Sequence, residues 1–201
     1  MEHYFIDKPH KESDFFDFSD NVLGFDLCFR SCDGIFSKNK IDEGTRTLLE
    51  TIGKKIVLSG HGLDVGCGLG VISVALIKKF GVFMDLFDVN GTAVKLSKEN
   101  LIKNNVQKSA NVFVSNGFEK VESIYDFIVS NPPIKTGKKL LFSLIDESFE
   151  HLKDDGLMIL VIRKDHGMES LKNHILEVFG NCEIINRNKG YYILKTQKQI
   201  N

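Results

Sequence analysis

The sequence predicts an α/β fold in which a mostly parallel sheet carries helices on both faces and closes on an antiparallel strand. Three observations predict it. From Val57 onward, short apolar runs alternate with amphipathic, Lys-rich segments, the order that builds a parallel sheet through helical crossovers. The run ending at Asp64 opens into a glycine cluster, Gly66, Gly68 and Gly70, where a strand turns into a helix. Near the end, two short apolar runs are split by Asn188-Lys189-Gly190, a hairpin signal.

Each element follows from its own pattern. In the first forty residues Phe15, Phe16, Phe18, Phe25, Leu27 and Phe29 alternate loosely around Asn21-Val22-Leu23-Gly24, which predicts two strands and a turn. So small a segment cannot bury a core of its own. The expected division is therefore a β-hairpin extension over residues 1–40, packed on a core domain over residues 41–201. Ile41 to Gly53 reads as a helix leading into a first core strand, Val57 to Asp64. Val71 to Phe80 has helical apolar spacing, Val82 to Asp88 is a short run closing on an acid, and Thr92 to Lys103 is helical again through Ala93, Val94, Leu96 and Leu101. Asn111 to Ser115 and Tyr125 to Ser130 read as strands. Leu140 to Leu152 reads as a helix closed by Lys153-Asp154-Asp155-Gly156, and Leu157 to Ile162 as a buried strand. Ser170 to Phe179 is a helix ending at Gly180, and Cys182 to Asn186 with Tyr191 to Lys195 make the closing hairpin.

Composition narrows the classes. Within 201 residues no run approaches the roughly 18 apolar residues of a membrane span. The start, Met1-Glu2-His3-Tyr4-Phe5-Ile6-Asp7-Lys8-Pro9, lacks a basic region followed by an apolar run, so no secretory signal and a cytoplasmic location are expected. Cys28, Cys32, Cys67 and Cys182 lack C-x-x-C spacing and the six histidines are scattered; reduced thiols and no metal site are expected. A net charge of −1 argues against a nucleic-acid coat protein but not against an enzyme with a local basic patch.

Leu63-Asp64-Val65-Gly66-Cys67-Gly68-Leu69-Gly70 is the strongest motif. Its glycines let a backbone turn sharply against a ligand at the carboxyl edge of the sheet. A dinucleotide fingerprint needs G-x-G-x-x-G, and the third glycine here is displaced by one, with Val71 in its place. Asp64 would repel a pyrophosphate and suits the cationic amino-acid end of S-adenosylmethionine. The G-x-G-x-G spacing after an acid resembles the class I methyltransferase signature. Asp88, closing the next strand and followed by Val89, can accept both hydroxyls of a ribose; it can equally cap the helix that follows. Asn116 and Gly117 stand after the third strand, where adenine is contacted in such folds, or else form an ordinary Asn-Gly turn.

Asp126-Phe127-Ile128-Val129-Ser130-Asn131-Pro132-Pro133-Ile134 is the second motif. Prolines end the ladder and push the preceding residue toward extended backbone. They thereby hold Asn131 and the Pro132 carbonyl as rigid acceptors. An amino group conjugated to a ring is a poor nucleophile. Two fixed oxygens accepting its hydrogens align the lone pair and stabilise the positive charge that develops. Asn131-Pro132-Pro133-Ile134 resembles the N-P-P-Y/F/I motif of amino-group methyltransferases, which serves adenine, guanine N2 and protein glutamine. Ile134 offers an apolar wall in place of a stacking aromatic, which disfavours the stacked-adenine reading.

Asp33-Gly34-Ile35-Phe36-Ser37-Lys38, followed by Asp42, Gly44 and Thr45, resembles the G-V-F-S-K/R…D-x-G-T/S signature of small-subunit ribosomal RNA guanine-N2 methyltransferases. His3-Tyr4-Phe5, Asn131 to Lys138, Ile162 to Gly167 and Lys189 to Lys195 resemble the short members of that group, which consist of the catalytic half alone. The resemblance implies a Rossmann-like seven-stranded sheet, S-adenosylmethionine as cofactor, methylation of guanine N2, and 16S ribosomal RNA or a small-subunit assembly as partner. Two departures stand out: Asn116-Gly117 replaces an acid-containing pair, and Asp165-His166 replaces a more basic or amide-rich stretch. Lys38, Lys135, Lys138, Lys139, Arg163, Lys164, Arg187 and Lys189 fall mostly in loops after strands and could line a phosphate-contacting rim, although each alone reads as a solvated cation. Two other functions share these motifs. A protein-glutamine methyltransferase would carry a helical N-terminal domain, which the Phe-rich hairpin does not resemble. A degenerate cofactor-binding module would not need Asp64, Gly66, Gly68, Gly70, Asp88 and Asn131 all intact.

Overall fold

The computed structural model describes residues 14–33, 35, 40–132 and 137–199. The segment around Lys38 and the stretch Pro133 to Thr136, with Ile134 and Lys135, lie outside the described residues. Among the described residues no helix is long and apolar enough to cross a membrane.

The chain opens with β1 (Phe15–Val22) and β2 (Phe25–Cys32), antiparallel partners joined through Leu23 and Gly24, both at positive φ. Such a turn matches the right-handed twist of the two strands. The hairpin is a sheet of its own and docks on the core through side-chain amides. On α3 (Gly91–Lys103) and its cap, Asn100 and Asn104 lie one turn apart and pair with the edge of β2 as a neighbouring strand would. Asn100 accepts from Arg30 N at 2.6 Å and donates to Arg30 O at 3.1 Å; Asn104 accepts from Cys28 N at 3.1 Å and donates to Cys28 O at 2.7 Å. Backbone groups left unpaired away from water are costly, and these amides satisfy an edge that no third strand covers among the described residues.

Helix α1 (Glu43–Lys55) follows, capped by Asp42. Then come β3 (His61–Val65), α2 (Val71–Phe80), β4 (Phe83–Asp88), α3, β5 (Ala110–Val114), β6 (Tyr125–Ser130), α4 (Gly137–Glu150), β7 (Leu152–Arg163), α5 (Met168–Phe179), β8 (Glu183–Asn188) and β9 (Tyr191–Gln197). The main sheet has seven strands in the order β5-β4-β3-β6-β7-β9-β8. Its core pairings are parallel, and β9 runs antiparallel to both of its neighbours, as expected for the closing hairpin.

The period of two explains the apolar runs. Along β7, Ile159 and Val161 pack on one face with α1 and α2, while Met158, Leu160 and Ile162 pack on the other with α4 and α5. A strand covered on both faces reads as a continuous run rather than an alternation. Val22, Leu27 and Phe29 of the hairpin join the first of these layers.

Two expected boundaries are corrected. The first core strand does not begin at Val57, which is 88% exposed; it starts at His61, because Gly60 has φ +80, incompatible with an extended ladder. The stretch Lys153 to Gly156 does not close a helix. It belongs to β7, whose register against β6 shifts between Tyr125 and Phe127 and whose Asp155 has φ +61, so a bulged strand imitates a loop.

Candidate active site

The carboxyl edge of the sheet brings the motifs together. β3 ends in Gly66 and Cys67, whose amides both donate to Phe87 O at 3.0 and 2.9 Å, stitching the glycine turn onto the end of β4. Gly68 N donates to Asp88 Oδ2 at 3.0 Å, and Asn90 N to Asp88 Oδ1 at 2.9 Å, so Asp88 is fixed by backbone from two directions. The helix after it is capped by Asn90 rather than Asp88: Asn90 Oδ1 accepts from Thr92 N and Ala93 N at 2.9 and 3.2 Å. Ser97 Oγ donates to Gly68 O at 2.7 Å and holds the loop from α3. At Gly68 φ is +53, and a β-carbon there would meet no atom within 4 Å, so the loop faces open space at that point.

Asp64 is fully buried. Ser73 Oγ donates to its Oδ2 at 2.7 Å, while Oδ1 has no hydrogen-bond partner among the described residues. Burial pushes the Asp64 carboxyl up to about 7, against the bonds from Ser73, with the negative field of Asp88 adding to the rise. Burial also raises Asp88, and raises the Cys67 thiol between the two acids. An orphaned acid oxygen, a fixed second carboxylate 24 residues on and a side-chain-free approach fit the ammonium and ribose of S-adenosylmethionine. Val89 is 39% exposed beyond Asp88. After β5, Asn116 Nδ2 donates to Glu119 Oε1 at 2.8 Å, and Gly117 takes φ +58.

Asn131 follows β6, where Ser130 Oγ donates to Val65 O at 2.9 Å and locks the strand end to the glycine turn. The Asn131 side chain is not isolated. Its Nδ2 donates to Thr45 Oγ1 at 2.9 Å and to Asp42 Oδ2 and Oδ1 at 3.2 and 3.4 Å, so the amide hydrogens are engaged by the first turn of α1 and Oδ1 is left as the acceptor. Pro132 is buried directly behind it. Helix α1 is itself anchored to the closing hairpin: Asn186 Nδ2 donates to Thr51 Oγ1 at 2.7 Å and Lys55 Nζ to Ile185 O at 2.6 Å. Gly44 admits the Tyr191 ring, since a β-carbon would stand 2.9 Å from Tyr191 Cε1. The role of Asp42 and Thr45 was missed from sequence. The available signal was an Asp three residues before a Thr at a helix start, a capping pattern.

The fold matches a 16S rRNA N2-guanine methyltransferase from T. thermophilus, solved with AdoMet and guanosine, at TM-score 0.85 and 23% identity over 95% of this chain and 52% of that one. A methyltransferase from Pyrococcus furiosus matches at TM-score 0.69 and 22% identity over 78% of this chain. In sequence, the methyltransferase small domain matches residues 26–195. The chain belongs to that family. Membership bears out the expected enzyme class and cofactor, an S-adenosylmethionine-dependent methyltransferase, together with the expected sheet. Uncharacterized protein YbxB of Bacillus subtilis is 36% identical over 98% of both chains. Ribosomal RNA small subunit methyltransferase C of Colwellia psychrerythraea is 33% identical over 94% of this chain but 55% of its own length. The chain spans about half the length of the relatives that carry that name.

The expected basic rim is uneven. Lys138 and Lys164 are exposed, the first with its ammonium 5.0 Å from the Phe142 ring centroid. Arg163 is paired with Asp165 at 3.1 Å and lies over the Tyr191 ring, and Lys189 is paired with Glu43 at 2.8 Å. Lys38 and Lys135 lie outside the described residues. His166, in a single 3-10 turn after Arg163, has its Nδ1 4.0 Å from Asp165 Oδ1.

Proposed function

We propose that the protein methylates an exocyclic amino group from S-adenosylmethionine, with guanine N2 of 16S ribosomal RNA as the substrate. The carrying observation is Asn131: its amide hydrogens are committed to α1, which leaves a carbonyl oxygen for the substrate amino group. Asp64 holds the ammonium end of the cofactor and Asp88 its ribose. Asn116 presents its carbonyl oxygen to the adenine amino group, beside Gly117. The cofactor supplies an electrophilic methyl on a sulfonium. Asn131 Oδ1 and the Pro132 carbonyl accept the two amino hydrogens, so the nitrogen lone pair faces the methyl and the growing positive charge meets two dipoles already aligned. No strong base is required: the thioether S-adenosylhomocysteine is the leaving group, and the methylated amino cation is acidic enough to pass its extra proton to water. Pro133 and Ile134 complete the Asn-Pro-Pro-Ile motif on which this reading rests.

The choice of guanine in ribosomal RNA is supported by the names of relatives and by the resemblance of residues 33–45, not by a contact. Lys138 and Lys164 would meet phosphates directly, whereas Arg163 and Lys189 would exchange Asp165 and Glu43 for them; Lys38 and Lys135 join this set from the sequence alone. The test is transfer of labelled methyl to total RNA from a strain lacking the gene, with the modified nucleoside identified by mass spectrometry. N2-methylguanosine in the 16S fraction, lost with Asn131→Ala, is the expected result. Label on protein, or undiminished transfer by Asn131→Ala, overturns the reading.

A further inference from the structure

We infer that Asp42 is a positioning residue that sets which way round the Asn131 amide sits, and so decides that the catalytic loop presents an acceptor rather than a donor. The inference rests on the reading of Asn131 as acceptor. The two ends of an amide are nearly the same size, so packing alone does not choose between them. The group opposite must choose. Thr45 Oγ1 makes the shortest contact, 2.9 Å, yet a hydroxyl both donates and accepts and would serve either orientation. A carboxylate only accepts. Asp42 Oδ1 already takes Gly44 N at 2.8 Å and Thr45 N at 3.2 Å as the cap of α1, and Oδ2 stands 3.2 Å from Asn131 Nδ2. A reversed Asn131 would set its carbonyl oxygen against that charge. Asp42 thus does two separable jobs, one through the helix amides and one through the Asn131 amide, and 89 residues of sequence separate the pair it links.

Substitution can split the jobs. Asp42→Asn keeps an oxygen to cap α1, since Asn and Asp cap about equally well. It also puts an NH2 opposite the Asn131 NH2, a clash that a flip of Asn131 relieves by turning its donor end to the substrate. Asp42→Ala removes the cap but imposes no orientation. The expected order is therefore inverted between two readouts. Asp42→Asn melts near the wild type and binds S-adenosylhomocysteine unchanged by calorimetry, while kcat for methyl transfer to total RNA from the deletion strain falls about a hundredfold, the scale of losing one preorganised hydrogen-bonding group, with KM little altered. Asp42→Ala melts lower yet keeps more of kcat than Asp42→Asn. If Asp42 acts only as a cap, the order of kcat follows the order of stability, and the inference is overturned. A transfer-independent readout separates this outcome from failure of the proposed reaction. The Asn131 side-chain NH2 signals, assigned by their loss in Asn131→Ala, are protected from exchange in the wild type and lose that protection in Asp42→Asn. Unchanged protection in Asp42→Asn sinks the inference whatever the substrate proves to be. Full activity of Asn131→Ala, with protection lost as expected, sinks instead the reading on which it rests.

Discussion

The role proposed for Asp64 at the ammonium end of the cofactor makes cofactor binding a proton-linked event. Its buried carboxyl is held at about 7, and the cationic end of the cofactor prefers the ionised form, so binding expels a proton wherever the free site still holds one. At pH 5.5 a group with that pKa is about 3% ionised, and at pH 7.5 about 75%. Affinity for S-adenosylhomocysteine should therefore rise roughly 25-fold across this window, about 2 kcal/mol, before the ligand's own amino group begins to titrate near pH 8. Calorimetry at several pH values, repeated in buffers of different ionisation enthalpy, reads both the affinity and the proton count. Asp88 is also raised by burial, so Asp64→Asn serves as the control that leaves any Asp88 slope in place. The sign for stability is the opposite of the usual carboxylate case. A folded pKa above the unfolded one means the contribution is present below about 4 and is lost as pH rises through about 7. Without ligand, Asp64→Asn should consequently melt above the wild type at pH 8. An affinity flat from pH 5.5 to 7.5 in the wild type, or the same slope in Asp64→Asn, refutes the reasoning.

Other substitutions probe neighbouring parts of the argument. Gly68→Ala adds a methyl that touches no protein atom but forces an alanine to φ +53, at about 1 kcal/mol, so the fold survives while cofactor affinity drops tenfold or more; calorimetry with unchanged affinity would show that the loop does not approach the ligand. Asp88→Ala removes the proposed ribose acceptor and the partner of Gly68 N, and should weaken binding of S-adenosylhomocysteine more than that of methionine, measured side by side. Asn100→Ala removes the side-chain amide that pairs with both Arg30 N and Arg30 O, so chemical denaturation should report a loss of about 2–3 kcal/mol with early proteolysis within β2; a loss under 0.5 kcal/mol would mean the hairpin does not depend on this grip.

The fold was largely legible because most core strands are covered on both faces and end on residues that punctuate. Asp64 stands one residue before the end of its parallel strand and Asp88 and Ser130 close theirs, so their shared edge follows from topology before any contact is seen. The errors have local causes. Val57 is apolar but exposed, and Lys153 to Gly156 are polar but extended, so hydropathy misplaced the start of two strands. The grip of Asp42 on Asn131 was illegible for a different reason. It is a pairing between a helix cap and a loop 89 residues away, and no periodicity within either segment encodes it. The pairing of Lys189 with Glu43 was hidden in the same way, and it withdraws a cation that the sequence had counted toward the rim.

Asn100 carries a consequence beyond holding the hairpin. Besides gripping Arg30, its Nδ2 donates to Leu69 O at 3.0 Å, inside the glycine turn. One amide thus ties a strand of the hairpin to the glycine turn, and their fluctuations share a fulcrum. With the cofactor bound as proposed, the Arg30 amide on the other side of Asn100 should exchange more slowly with solvent. The phenylalanine-rich hairpin would then serve as a gauge of cofactor occupancy on the outer surface of the enzyme.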